Sequence, residues 1–124
     1  MKDTFAVAPF TDLKVAVTIH PDRASLLRAH KRLSGETDSS VAAFCFHCEC
    51  ENDVIAHIHF NQAHLDAGLV AHEVQHAVLI LQRYWRLNIS DSLAEEILAE
   101  AAALMVTRIL RLRRASKSAR RQAK

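Results

Sequence analysis

Apolar and polar positions alternate with a period of two along some stretches of this chain and recur at helical spacing along others. Val15, Val17 and Ile19 alternate with Lys14, Ala16 and Thr18, the pattern of a half-buried strand that ends near His20-Pro21. Pro21 and Asp22 suit the first turn of a helix, along which Leu26, Leu27, His30 and Leu33 recur until Ser34-Gly35 closes it. Residues 34 to 40 are a polar loop without periodicity, and residues 1 to 12, of mixed polarity around Pro9, read as a lead-in segment. Two further strands are expected at 41 to 50 and 54 to 60. A long central helix follows the 61 to 66 lead-in and runs to about Leu87. After a turn at 88 to 91, Ser90 or Asp91 can cap a last helix from Ser92 to about Arg114, with a stripe of Leu93, Ile97, Leu98, Ala101, Leu104, Met105, Ile109 and Leu112.

The order strand-helix-strand-strand-helix-helix predicts an α+β domain, with a small antiparallel-containing sheet of about three strands packed with three helices. One domain is expected over residues 1 to 114, with 115 to 124 as a basic, flexible tail. Matching Phe44, Phe46 and Cys48 to Val54, Ala56, Ile58 and Phe60 as one core face pairs Phe46 with Ile58 and Cys48 with Ala56. The connecting loop is then Glu51-Asn52-Asp53, whose Asn and Asp tolerate left-handed backbone. The same register sets His47 across from His57 and Cys45 across from His59 on the other face, a quartet that could hold a second metal ion. Against that, residues 45 and 48 of the C-x-x-C spacing point to opposite faces of a strand, so a polar face open to water or at a cleft edge is the preferred reading.

Charge divides the chain. Residues 108 to 124 carry eight basic residues and no acid, whereas the rest carries eight basic and fourteen acidic residues, so an acidic body precedes a basic end. Such an end attracts phosphate without regard to sequence, which predicts a weak nucleic-acid contact through 108–124. No apolar run of about 18 residues and no charged-then-apolar leader is present, which removes membrane-spanning and secretory readings and makes a cytoplasmic protein the default. Cys45, Cys48 and Cys50, odd in number and tightly clustered, are a poor disulfide framework and are expected reduced.

Candidate chemistry concentrates in the central helix, at His72-Glu73-Val74-Gln75-His76. At about 100° per residue, His72 and His76 lie one turn apart on one face with Glu73 beside them. Two neutral imidazoles offer Zn²⁺ nitrogen ligands, and the adjacent carboxylate is placed to take a proton from a metal-bound water. The flanking residues, Leu69 to Ala71, Val74 and Ala77 to Leu81, are apolar nearly all round, so the helix should be central and buried, where unpartnered polar groups are costly.

A catalytic zinc takes three protein ligands and an open position, so two histidines are incomplete. The solution with a Gly and a third His further along the same helix is excluded, because Leu79 and Gln82 stand there. The remaining donors downstream are Glu95, Glu96 and Glu100 on the last helix, which a short turn lets pack antiparallel to the first.

His72-Glu73-x-x-His76 followed by Glu96-x-x-Ala99 resembles the gluzincin metallopeptidases, and more narrowly the small zincin-like proteins of bacteriophages and prophages. The resemblance covers residues 53 to 106 best. It implies a minimal zincin-like domain, with Zn²⁺ held by His72, His76 and Glu96, Glu73 as general base, and Glu100 as a partner behind a ligand histidine. Glu95 or Glu100 could replace Glu96 as the ligand. Such peptidases add an oxyanion-stabilising side chain, for which His57 and His59 are the candidates ahead of Tyr84. The expected function is a zinc-dependent metallohydrolase, a minimal protease acting on a peptide or protein, with the strand at 54 to 60 able to pair with an extended peptide. The alternative is a non-catalytic zinc-containing binding module that acts through protein partners or its basic end.

Overall fold

Four strands and three helices follow from these patterns in the computed structural model, which describes residues 1–47 and 52–123. They are β1 (Lys2–Ala6), β2 (Lys14–His20), α1 (Arg23–Ser34), β3 (Ala43–His47), β4 (Val54–Asn61), α2 (Ala67–Trp85) and α3 (Ser92–Gln122), with a 3₁₀ turn at Gln62–His64. The helices start where the sequence offers caps. Asp22, Asp66 and Asp91 each accept a hydrogen bond from a first-turn backbone N–H, satisfying a donor that the helix itself leaves open. Gly35 ends α1 at φ 76°, donating its N–H to the Lys31 carbonyl.

The strands form one mixed sheet in the order β1-β2-β4-β3. The β2–β4 pair is parallel and the outer pairs are antiparallel. The α+β class is as expected, but the lead-in segment supplies a fourth strand. Within β1 only Phe5 is buried, so its periodicity is faint in the sequence. What orders it is backbone pairing along β2, from Lys2 opposite Thr18 to Ala6 opposite Lys14, and the terminal amine donating to the Ile19 carbonyl.

Val15, Val17, Ile19, Ala56, Ile58 and Phe60 line one face of the sheet. They share one buried cluster with Val70, Val74, Ala77 and Leu81 of α2 and with Leu98, Ala101, Met105 and Ile109 of α3. Each fully buried aliphatic or Phe side chain there contributes about 1.5–3 kcal/mol. The opposite face carries His20, Phe44 and His59 and is covered by α1, which buries Leu26 and Ala29.

This two-sided cover overturns the expected register of β3 on β4. Phe46 pairs with His57 and Cys45 with Ile58, one residue away from the expected match of Phe46 to Ile58. A slip of one residue exchanges the faces of every side chain. Matching large apolar residues to a single core face presumes that the other face is wet; here both faces are packed, and Phe44 stacks on His59 with ring centroids 4.6 Å apart. The Cys48–Ala56 pair, the second cysteine of the C-x-x-C spacing and the loop residue Glu51 lie outside the described residues. Asn52 and Asp53 adopt φ values of 65° and 63°, the left-handed backbone their residue types tolerate.

The last helix also runs past its expected end near Arg114. It remains helical to Gln122, and Ser116, which is buried, donates a hydrogen bond to the Gln62 side chain. Near its middle, Arg108 donates to Asp3 at 3.2 Å and lies 5.0 Å over the Phe5 ring, tying α3 to the β1 edge. No helix among the described residues is long and apolar enough to cross a membrane.

Candidate functional site

Helix α2 is central, and its polar exceptions are sorted by angle. Val70, Glu73, Val74, Ala77, Val78, Ile80 and Leu81 are buried, whereas His72 and His76 project to solvent. Glu73 sits on the border between the two sides and is buried, with 4% of its surface exposed. Its Oε1 lies 4.0 Å from His72 Nε2, and its Oε2 has no hydrogen-bond partner among the described residues. Burial pushes the Glu73 carboxyl above the ordinary range, against the opposing pull of His76 and His72.

The two histidines turn toward each other. Their Nε2 atoms are 3.3 Å apart and their rings meet edge to face at 77°. Two nitrogens each about 2.0–2.1 Å from a tetrahedral zinc ion stand about 3.3–3.4 Å apart, so the pair has the bite of two ligands to one ion.

This group opens onto a cleft of about 560 Å³. One wall is the start of α2, with Asp66, Gly68, Leu69, His72 and Glu73, and the other is the approach to β3, with Asp38 and Ser40 to Ala43. A second cleft of about 290 Å³, lined by His47, Ile80, Arg83 and Tyr84, lies at the other end of β3 along the same seam. Since β3 is an edge of the sheet, the seam runs beside a free strand edge.

The other expected site residues are distributed as follows. Glu95, Glu96 and Glu100 are exposed on α3, and among the described residues no third His, Cys, Asp or Glu closes on the histidine pair. The reason is rotational. The buried stripe of α3 is Ala94, Leu98, Ala101, Met105 and Ile109, which at about 100° per residue leaves Glu96 on the far side of the helix and Glu95 nearest the packed side. His57 and His59 alternate with Ile58 and so face α1, with the sheet between them and α2; the structure does not bring them to the pair. The strand β4, expected to receive a peptide, is bonded on both sides by β2 and β3, so the sheet's edges are β1 and β3.

The quartet of Cys45, His47, His57 and His59 is divided by the corrected register. Cys45 and His47 share the α2 side, and Cys45 is a free thiol that burial and the nearby Glu73 push up to about 12. On the α1 side is a pair that sequence reasoning missed. His20 Nε2 and His59 Nδ1 are 2.8 Å apart, and His20 Nδ1 is 2.7 Å from Ser25 Oγ. Both rings are buried, and burial with surrounding cations holds both below the usual histidine value, His59 at about 3. The alternation of β2 and β4 marks the face of each ring, but only their parallel pairing, Thr18 opposite His59, makes them neighbours.

Comparison of the chain with protein-family models, with curated proteins and with solved structures finds no match, so the chemistry of the site rests on its own geometry.

Proposed function

We propose that the protein is a zinc-dependent metallohydrolase of the peptidase type. The observation that carries this is the His72–His76 pair, with Nε2 atoms 3.3 Å apart beside a buried Glu73 whose Oε2 is unsatisfied among the described residues, with His72 and Glu73 in the wall of an open cleft. An isolated carboxylate is costly to bury, and a cation with its water offsets that cost. His72 and His76 would hold the ion through Nε2, with a third donor from Glu95, Glu96 or Glu100; the resemblance to gluzincins favours Glu96, whereas the observed rotation of α3 favours Glu95. Bound there, zinc would supply a Lewis acid for a carbonyl oxygen and make water acidic enough to react near neutral pH.

The protein's own residues carry the remaining steps. An extended peptide adds to the free edge of β3, its backbone aligned along the seam between the two clefts. Glu73 accepts a proton from the attacking water, while the water oxygen bonds to the carbonyl carbon. It then returns that proton to the nitrogen of the amine that leaves as the C–N bond breaks. Its raised affinity for a proton suits both transfers.

Zinc titration of the apo protein, read by chelator competition, tests the reading. One equivalent should bind at neutral pH, and His72→Ala or His76→Ala should abolish uptake without loss of helical signal. Absence of uptake by the wild-type chain would overturn it. A non-catalytic module would bind the metal equally well, and peptide hydrolysis separates the two.

A further inference from the structure

The basic end of the chain is a continuous helix, which changes what its charges can do. From Arg111 to Gln122 the last turns of α3 carry Arg111, Arg113, Arg114, Lys117, Arg120 and Arg121 with no acidic residue among them. Arg108 is engaged by Asp3, but no ion pair engages these six among the described residues. Like charges three and four positions apart destabilise a helix by a few tenths of a kcal/mol per pair. Attraction to the negative end of the helix dipole relieves only the last turn, so Arg111 to Lys117 are uncompensated. Three of them converge: Arg113, Arg114 and Lys117 line, with Leu110, a recess of about 260 Å³, and the Nε of Arg113 is buried without a hydrogen-bond partner among the described residues.

We infer that this face of α3 binds the sugar-phosphate backbone of nucleic acid, with one phosphate seated in the recess of Arg113, Arg114 and Lys117. The chemistry of the face selects this partner. Between residues 113 and 123 no side chain is aromatic or a larger aliphatic than Ala, and Leu110 is the one apolar side chain lining the recess, so the face lacks the aromatic anchors of a protein interface and the apolar stripe by which an interfacial helix enters a membrane. A rigid helix also orders fewer side chains on binding than a flexible tail would, so less of the electrostatic attraction is lost to entropy. Base edges are not addressed, and binding is independent of sequence.

The test is fluorescence anisotropy of the full chain on a labelled mixed-sequence DNA duplex, with single-stranded DNA and RNA as further arms. Contact with about four phosphates gives a slope of about −3.6 in log K against log salt, and so a loss of roughly 150-fold between about 50 and 200 mM salt. Combined Arg113→Gln, Arg114→Gln and Lys117→Gln should remove the recess phosphate and so reduce the slope to about −2.7. Gln is a good helix former, and unchanged zinc uptake and helical signal serve as the check on folding. Arg83→Gln with Arg86→Gln, at the end of α2, should leave affinity and slope unchanged. The inference is overturned if no nucleic acid binds at low salt, if the triple variant keeps the wild-type slope, if the α2 variant loses as much, or if phosphatidylserine vesicles bind at least as tightly as the duplex.

Discussion

Glu73 shows how a single position on a helix couples burial to chemistry. One position round from His72, it leaves the solvent side and enters the border of the core, where its carboxyl is desolvated and its Oε2 lacks a partner among the described residues. Glu73→Gln keeps the shape and removes the proton acceptor. Zinc affinity should stay within a few-fold of wild type, while peptide hydrolysis falls by about 10²–10⁴-fold. Retained activity would mean that another group is the base.

The second residue-scale consequence concerns His20 and His59. Burial and the positive charges of Lys2, Arg32 and the terminal amine hold their folded pKa values below the ordinary 6.5, with only Asp22 opposing at His20. The unfolded chain therefore binds more protons than the folded one as pH falls below about 6.5. Stability from this pair is complete above that pH and is lost as pH drops toward about 3, where His59 charges in the folded state. The unfolding free energy from urea titrations should decline as pH falls from about 6.5 toward about 3, by up to about 1.4 kcal/mol per pH unit for His59, with His20 adding in the same direction. His59→Phe, which keeps an aromatic ring against Phe44, should flatten that decline; an unchanged profile would assign the acid sensitivity elsewhere.

At the scale of elements, the proposed third ligand depends on how α3 is rotated against α2. Glu96 and Glu100 are one turn apart on α3, and Glu95 is rotated by about 100°. In the proposed zinc site the resemblance to gluzincins assigns the ligand to Glu96, which requires α3 to turn from its observed rotation; on that assignment Glu96→Ala should weaken zinc binding by more than about 100-fold. Glu100→Ala should cost about 10–100-fold as a supporting contact, and Glu95→Ala less. Chelator competition on the three variants gives the order. A larger loss for Glu95→Ala would give the ligand to the acid nearest the packed stripe. A cap at Asp91, the α2 span and the helical position of His72-Glu73-x-x-His76 were legible in the sequence, because each depends on residues within a turn or two of one another. The β3–β4 register was not, because it depends on which faces of the sheet are covered, and α1 covers the face that local periodicity treats as wet.

For the whole molecule, one buried cluster joins β1, β2 and β4 to α2 and α3. Met105 is fully buried at the centre of α3. Met105→Ala should cost about 2–5 kcal/mol, and helical signal and Trp85 fluorescence should shift to a single lower denaturation midpoint. Separate midpoints would show that α3 detaches from the body on its own. The sequence by itself determined the α+β class, helix starts close to Asp22, Asp66 and Asp91, and the adjacency of Glu73 to the histidine pair, all consequences of short-range spacing. Only the tertiary structure decided that residues 2–6 complete the sheet, that β4 is internal and β3 its free edge, that His59 meets His20 thirty-nine residues away, and that Glu96 stands opposite its helix's packed stripe. These are pairings between distant segments, and the free energy that selects them comes from burying two faces of one sheet at once, which no local period encodes.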